Sequence, residues 1–568
     1  MRLLASLLLA LLVTQANAQS NPGFVQGQVL NASALNAAFA AKQDYPIPPS
    51  TVLAFGAVCN GSTDDAAAIN TALLSGNAVI SLPTTACRAA STITVPANVS
   101  LIGTRFNPGS PPLYSQIVCD LSVTPCVQVL GGVAGAGNAS QFLANFTINR
   151  AAGSIPGSSQ GLLVSGGYNV IIQNINVTRH YDCWTFKAVA TGNGISAKVN
   201  NMFSSACSHD HVVVNGWPEL YVIGGRLGAN GSADLSGVDA FVTITGGGAG
   251  IGGPNTVNFS GVQFNQGAGD VAHFVKFTNI TGGGSSAVVY NFTNNFAENI
   301  SGDIVSSDAG VSIIDQAIIA NSYFNCTCNF WNINAATQLS RFHVHNNVIT
   351  NGGGSTFDLP STQHVDLRIV DNYIQSETTV NGANSADLEM RGNTYAGNLT
   401  INNTASGSWG YLNLGGSFAG AAVPVNNLSG TPGKISLDFP GRTFSYTPTV
   451  TWGGANTGWT CTCTGSYQLI GNRVDAKFSV VITAKGSSTG LFRLGLPLTL
   501  PNGTQNDAGL VTSSSNMSGL TSALLVLPQL NNANAIINQQ GAAGTASITD
   551  GAFTSTSTLL GSVSYFLN

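Results

Sequence analysis

The chain has 568 residues, a net charge of -5 at pH 7, only 8% charged residues and 67 glycines. This weak negative charge, without any run of five like charges, excludes a basic surface for nucleic acid or anionic lipid. So few charges among so many turn-forming residues also argue against long exposed helices and favour an all-β protein of many short strands.

The N-terminal residues predict export. Arg2 supplies a charged start, Leu3 to Val13 form an apolar run and Ala16-Asn17-Ala18 is a small-residue cleavage site, so residues 1–18 read as a signal peptide. The run is shorter than the about 20 residues of a membrane anchor, so we expect no stable membrane span after cleavage. The expected location is periplasmic, cell-surface or extracellular. Residues 19–50 follow as a short helix, over 29–45, and a proline-rich linker.

The ten cysteines suit an exported chain in which disulfides persist. Sequence cannot fix their connectivity, and our trial pairing joins Cys59 to Cys87, Cys119 to Cys126 and Cys183 to Cys207. The remaining four lie in two Cys-Thr-Cys triplets, whose single intervening residue is not the spacing of structural zinc sites. We therefore expect no metal and no cofactor.

A four-residue phrase, polar or Gly first and apolar last, recurs eleven times at a mean step of about 27 residues. Such a step, with alternating apolar positions and no helical period, predicts one coil of a parallel β-helix per repeat. Asparagine recurs at the start of the phrase because it tolerates tight corners and can hydrogen-bond between coils. The phrases, in order, are NFTI ending at Ile148, NINV at Val177, NNMF at Phe203, GGRL at Leu227, GVQF at Phe264, NNFA one residue past Phe296, NSYF at Phe324, NNVI at Ile349, DNYI at Ile374, GNTY at Tyr395 and GGSF at Phe418.

The sequence pattern changes after these repeats. Alternating strands such as "SYTPTVTW" and "NRVDAKFSVVITA" follow the segment around 428–441, which predicts a separate C-terminal β-domain. We therefore divide the chain into a parallel β-helix at 51–427 and an antiparallel β-domain at 428–568.

Residues 52–104 resemble the start of pectate-lyase-like parallel β-helix proteins, a group that includes many phage tailspikes. The resemblance rests on Phe55-Gly56-Ala57, on Gly61 with Thr63-Asp64-Asp65, on Leu82-Pro83 and on Leu101-Ile102-Gly103. In that family the aspartates precede a helix that covers the open end of the coils. Accordingly we expect Thr63 to cap this helix, Asp64 and Asp65 to occupy its first turn, and Ile69 and Leu73 to form its apolar face.

The resemblance implies a right-handed parallel β-helix of about eleven or more coils that binds a cell-surface, capsular or pectic polysaccharide. The segments at 29–45 and 428–568 are similar to parts of phage tail proteins, which implies a homotrimer and makes a virion tail the alternative location. A signal peptide departs from that pattern and favours an exported relative. Lyases, hydrolases, epimerases and non-enzymatic adhesins all share this fold, so the fold alone does not predict the activity.

Acidic and histidine residues recur five to seven residues after the phrase in five successive coils. Asp182, Asp210 and Asp234 are the carboxylates that we expect to be catalytic, with His209 beside them. Carboxylates on neighbouring coils would match the separation of a retaining glycosidase, and those two coils apart that of an inverting one. Residues near them in sequence form the expected substrate-binding set, which is His180, Tyr181, Trp184, His211, Asp239, Asp270 and His273.

Other interpretations stay open at this stage. Asp is a common turn former, so the ladder could be purely structural. A lyase would use His209, His211 or Arg179 as its base. His209 and His211, on the same side of a strand, could also begin a zinc site, although no further ligand is placed. The sequence thus favours a polysaccharide depolymerase, with a non-catalytic adhesin as the alternative.

Overall fold

The computed structural model places most of the chain beyond residue 49. The expected signal peptide and N-terminal helix lie outside the described residues. Those described are 50–106, 114–131, 140–166, 169–188, 196–216, 219–228, 238–246, 254, 256–265, 271–280, 289–311, 313–326, 328–333, 337–351, 355–358, 365–375, 377–381, 386–403, 411–418, 424–428, 435–438, 443–470, 473–498, 508–520, 522–529, 533–541 and 544–566.

Parallel strands from successive coils stack into three sheets, which we call sheets I, II and III in the order in which each coil visits them. Sheet I contains Ser50–Thr51, Val79–Leu82, Ser100–Gly103, Thr256–Ser260, Val289–Thr293, Ile313–Ala320, Gln338–His345, Val365–Val370 and Ile435–Asp438. Sheet II contains Ala86–Ala89, Gln116–Cys119, Gln263–Asn265, Tyr323–Cys326, Val348–Asn351 and Tyr373–Ile374. Sheet III contains Ile93–Val95, Val127–Leu130, Gln160–Ser165, Asp182–Lys187, Asp210–Asn215, Val238–Thr245, Val271–Thr278, Asn329–Asn332, Ser355–Asp358, Thr378–Asn381, Leu399–Asn403 and Pro424–Leu428.

Seven longer strands bend from one sheet into the next. Ser140–Arg150, Asn169–Thr178, Ser196–Ser205, Glu219–Leu227, Ala386–Tyr395 and Tyr411–Phe418 run from sheet I into sheet II, and Phe296–Ser307 runs from sheet II into sheet III. Their inward aliphatic and aromatic side chains fill the interior of the coils. The parallel β-helix predicted from the repeat is thus confirmed.

The strand register explains the repeated phrase. Its last residues pair from coil to coil, as in Ile148 with Val177 and Phe264 with Leu227. One predicted position is wrong by a residue, because Val177 pairs with Ser204 instead of Phe203. The phrase begins at the corner between sheets I and II, where the backbone is left-handed. In the coil that contains Phe203, the corner residue is Asn201, at φ 57°.

The asparagines at these corners bond along the stack. The Nδ2 of Asn174 donates to the Oδ1 of Asn145 at 2.9 Å, and Asn201 donates in the same way to Asn174. Where a coil has Gly at this corner, as at Gly224 and Gly261, the positive φ needs no side-chain support. The predicted role of the recurrent asparagines is therefore confirmed.

The first coil carries the α-helix Ala66–Leu73, preceded by the 3-10 helix Val52–Phe55. Ile69 and Leu73 are buried as predicted, but the predicted cap is wrong. Asp65 occupies the N-cap position, and its carboxylate instead accepts from the backbone N–H groups of Val58 and Cys59. The Oδ1 of Asp64 accepts from the first helical N–H, and Thr63 lies outside the helix.

Five disulfides are present, and they include the three trial pairs: Cys59–Cys87, Cys119–Cys126 and Cys183–Cys207. Each Cys-Thr-Cys triplet closes on itself, as Cys326–Cys328 and Cys461–Cys463. Among the described residues, no helix is long and apolar enough to cross a membrane.

The C-terminal unit is a separate antiparallel sheet, and the parallel stack reaches Asp438, beyond the boundary that we placed at 428. The strands of the antiparallel sheet are Phe444–Tyr446, Val450–Trp452, Thr460–Ile470, Arg473–Ala484, Phe492–Gly495, Gly509–Met517, Leu524–Pro528, Asn534–Gly541, Gly544–Ser547 and Phe553–Phe566, with a 3-10 turn at Asp550–Ala552.

Candidate functional site

Polar residues occupy one register position at the start of successive strands of sheet III. Asp182 pairs with Asp210, Asp210 with Ala240, Ala240 with His273 and His273 with Asp303. The chain reaches this position directly after leaving sheet II. Asp182, Asp210 and Asp303 of the predicted ladder thus share this position, whereas Ala240 and His273 hold it in the two coils between them.

His209 lies at the centre of this ladder, one residue before its strand begins. Its Nδ1 is 2.9 Å from the Oδ1 of Asp182 and 3.2 Å from the Oδ2 of Asp210. Its Nε2 is 3.8 Å from the Oδ2 of Asp239, which is too long for a hydrogen bond. The imidazole of His209 is thus held through Nδ1, and its Nε2 remains available to another hydrogen-bond partner.

The two carboxylates hold His209 as an imidazolium. Hydrogen bonds to Asp182 and Asp210 raise the pKa of His209 to about 10, and burial only partly opposes them. Burial raises the pKa of the Asp210 carboxyl, while its bond to His209 acts in the opposite direction. The site therefore carries a positive charge on its half-exposed histidine throughout the neutral pH range.

Asp239 and Lys276 form the other half of the cluster. The Nζ of Lys276 lies 2.6 Å from the Oδ2 of Asp239, and both side chains are about one quarter exposed. The backbone N–H of Asp239 donates to the carbonyl of His209, which links the two coils beside the imidazole. The Tyr181 ring stacks on that imidazole with a centroid distance of 4.4 Å. These contacts place a carboxylate on each side of His209.

A second polar group continues the ladder. The Nδ1 of His273 lies 3.5 Å from the Oδ2 of Asp303 without a hydrogen bond between them, and that oxygen accepts from the Nδ2 of Asn332. Burial lowers the pKa of His273, so this imidazole is neutral at pH 7. Charge is therefore concentrated at His209, Asp239 and Lys276.

Several expected site residues are not at the surface. The Asp210 side chain is 1% exposed and its Oδ1 accepts from the backbone N–H of Ala240, so it positions His209 and cannot touch a substrate. His180, Trp184 and His211 are fully buried inside the coils, and we no longer regard them as substrate contacts. His211 also points away from the exposed His209, so the expected same-side pair is wrong. Asp234 and Asp270 lie outside the described residues.

Lys276 is the site residue that sequence reasoning missed. It lies three residues after His273, but its partner Asp239 is on the preceding coil, so only the strand register brings the two together. A search for cations among the outward positions of sheet III strands would have found it.

Asp182, His209 and Asp210 are also a set that could hold a metal ion, because their donor atoms all lie within 4.8 Å of one another. A histidine ligand must be neutral, whereas the raised pKa of His209 retains its proton. A metal ion bound here would therefore have to displace that proton.

No protein-family model and no curated protein sequence matches the chain. Among solved structures, the Dettilon tailspike protein is 15% identical over 96% of this chain and 98% of that chain, with a TM-score of 0.47. Tailspike protein 3 of bacteriophage CBA120 is 11% identical over 77% and 69% of the two chains, with a TM-score of 0.40. The A-module of the Azotobacter vinelandii mannuronan C-5 epimerase AlgE4 is 13% identical over 68% and 99%, with a TM-score of 0.35. The structural neighbours are thus phage tailspikes and parallel β-helix enzymes.

Proposed function

We propose that this protein binds a polysaccharide along the outer face of sheet III and cleaves it by hydrolysis at Asp182, His209 and Asp239. The observation that carries the proposal is the cluster around His209. It joins three carboxylates and two cations in a chain with only 19 Lys or Arg and 24 Asp or Glu. Charges so few and so concentrated favour a site over a scaffold.

The proton donor in this proposal is the His209 imidazolium. Asp182 and Asp210 orient the ring through Nδ1, and Nε2–H is left to donate to the glycosidic oxygen of a bound sugar. As the bond from the anomeric carbon to that oxygen breaks, the oxygen takes the proton from Nε2. The neutral imidazole keeps its Nδ1–H contacts with Asp182 and Asp210, which favour the imidazolium, and it regains a proton at Nε2 from water.

The base in this proposal is Asp239. It would take a proton from water as the water oxygen attacks the anomeric carbon, while the Lys276 ammonium compensates its charge. Protonation of the leaving oxygen and attack by water occur in one displacement, without a covalent bond between sugar and enzyme, so we expect inversion at the anomeric carbon.

The outer face of sheet III suits an extended ligand. Strands lie about 4.8 Å apart, which is close to the length of a sugar unit, so a glycan along the helix axis would meet one coil per sugar. From the His209 cluster it would pass Lys276 and then His273 and Asn332, the latter held by the buried Asp303. These side chains supply donors and acceptors for sugar hydroxyls.

The test is release of reducing ends from a panel of capsular and pectic polysaccharides. Asp239→Asn and His209→Gln should each lower turnover by about 100-fold or more, as expected when a general acid or base is lost. Asp315→Asn, an acid on sheet I, is the matched control and should leave turnover unchanged. Unchanged turnover in both site variants would overturn the assignment.

One observation favours the alternative, a non-catalytic adhesin. A histidine whose pKa is about 10 gives up its proton reluctantly, so the same cluster could bind a glycan without cleaving it. Glycan binding with no product from any polysaccharide in the panel would establish this alternative.

The expected homotrimer stays a prediction. Light scattering should then give about three times the mass of one chain.

A further inference from the structure

A second polar depression lies far along the chain, in the C-terminal domain. It is a half-open cleft of about 260 Å³ on the outer face of the antiparallel sheet. Three neighbouring strands form its floor: Thr460–Ile470, Arg473–Ala484 and Phe553–Phe566. Its outward lining residues are Ser466, Gln468, Asp475, Lys477, Ser562 and Ser564.

The cross-strand register arranges these side chains in two rows. One row contains Gln468, Asp475 and Ser564, and the other contains Ser466, Lys477 and Ser562. In the second row Lys477 lies on the central strand, and the short side chains of Ser466 and Ser562 leave open space on either side of it. The cleft therefore follows directly from residue size at paired positions.

Existing contacts order the first row. The Oδ1 of Asp475 accepts from the Oγ of Ser564 at 2.6 Å and from the Nε of Arg473 at 2.8 Å. The Nε2 of Gln468 donates to the Oγ1 of Thr443. These bonds hold the carboxylate and the amide in place before any ligand arrives, which lowers the entropy cost of binding.

The second row is open. Within the described part of the chain, no side-chain hydrogen bond or ion pair engages Ser466, Lys477 or Ser562, and nothing donates to the Oδ2 of Asp475. The cleft thus offers two hydroxyls and an ammonium as donors, and a carboxylate oxygen as acceptor. Leu510, directly opposite Ser562 on the next strand and 54% exposed, adds an apolar edge.

We propose that this cleft is a second glycan-binding site, which takes a neutral saccharide independently of the site on sheet III. Sugar hydroxyls both donate and accept, and the C–H face of a sugar suits an apolar edge such as Leu510. The lining carries one negative charge, on Asp475, and one positive charge, on Lys477, so it has no net charge that would favour a polyanion. Its small volume accommodates one or two sugar units.

The experiment measures binding of neutral oligosaccharides to the full chain carrying Asp239→Asn, which prevents cleavage. The neutral probes are maltohexaose, cellohexaose and laminarihexaose, and hexagalacturonate is the anionic comparison. We expect saturable binding of at least one neutral probe, weakened at least tenfold by Ser562→Trp, which fills the cleft. The double variant Ser466→Ala with Lys477→Ala should weaken it in the same way without adding bulk.

Thr464→Ala, on the same strand face but outside the cleft, is the matched control and should bind normally. Three results would overturn the proposal: no neutral probe binds, binding survives both cleft variants, or Ser562→Trp changes the oligomeric mass, which would make this face a contact between copies. A failure of polysaccharide cleavage would not affect this result.

Discussion

His209 shows how its neighbours set the behaviour of one residue. An isolated histidine loses its proton near neutral pH, but two carboxylates on Nδ1 raise the pKa of His209 to about 10. The aspartates were found from sequence because they recur at a fixed step. The burial of Asp210 could not be predicted from sequence, because Asp182 and Asp210 hold the same register position and differ only in how the chain covers them.

This pKa predicts the pH dependence of turnover. If the imidazolium donates the proton, activity should persist through pH 8 and fall as pH rises through about 10. Asp182→Asn removes one of the two bonds that raise the pKa, so the upper limit of the remaining activity should move to lower pH. A pH-rate profile, with His209 titrated by NMR in both proteins, checks this. A loss of activity near pH 6.5 in the wild type would contradict it.

Arg150 is a buried cation that no sequence pattern indicated. Its guanidinium donates to the carbonyls of Asp120, Leu121 and Val123 and to the Nδ1 of His180. Burial and the neighbouring cation lower the pKa of His180 to about 3, so this imidazole is neutral and accepts the bond. Arg150 thus supplies the donors for the carbonyls of Leu121 and Val123, whereas the carbonyl of Asp120 also accepts from the backbone N–H of Val123.

Arg150→Met should therefore lower the free energy of unfolding of the β-helix by roughly 3 kcal/mol, because hydrogen bonds to a charged group are lost and the carbonyls of Leu121 and Val123 lose their donor. Arg179→Met removes a more exposed guanidinium nearby and should cost little. Denaturant unfolding followed by circular dichroism compares the two. Equal stability of both variants would mean that water replaces the lost donors.

At the scale of the coil, the structure adds a second position to the asparagine hydrogen bonds that we expected between coils. In later coils the residue after the left-handed corner is buried and bonds to the preceding coil. The Oδ1 of Asn372 accepts from the backbone N–H of Asn347, and its Nδ2 donates to the carbonyls of Val344 and Val370. The phrase therefore encodes both a turn and an internal ladder.

Asn372→Ala removes these bonds and leaves buried backbone groups unsatisfied, so it should cost about 3 kcal/mol of stability. Asn325→Ala, an exposed asparagine on sheet II, should cost less than about 0.5 kcal/mol. Thermal unfolding of both variants measures the difference. Similar melting temperatures would show that the ladder adds no net stability.

The disulfide Cys183–Cys207 joins the two coils that hold the candidate site. Cys183 follows Asp182, and Cys207 precedes His209 by two residues. Cys183→Ala with Cys207→Ala should cost about 3 kcal/mol, the value expected for a loop of this length. It should also lower turnover, because Asp182 and His209 lose their covalent link. The same change at Cys461 and Cys463 is the control and should leave turnover unchanged.

At the scale of the molecule, the β-helix could be predicted because each coil repeats one pattern, and the pattern survives errors of a residue such as Phe203. The site could be predicted only in part. Asp182 and His209 are close in sequence to the repeat, whereas the contact of Lys276 with Asp239 needs the exact strand register. The C-terminal cleft could not be found, since it depends on which small side chains face each other across three strands.

The parallel stack of sheets I to III and the antiparallel sheet share no strand pairing among the described residues. Each should therefore tolerate damage to the other. Trp452 packs against Phe492 and Phe553 at centroid distances of 5.0 and 4.5 Å inside the antiparallel domain. Trp452→Ala should cost that domain about 3–5 kcal/mol, yet the coils carrying His209 should keep their fold and turnover. Turnover measured after heating to the midpoint of the domain transition tests this. If cleavage is lost together with the antiparallel sheet, the coils depend on the C-terminal domain for their stability.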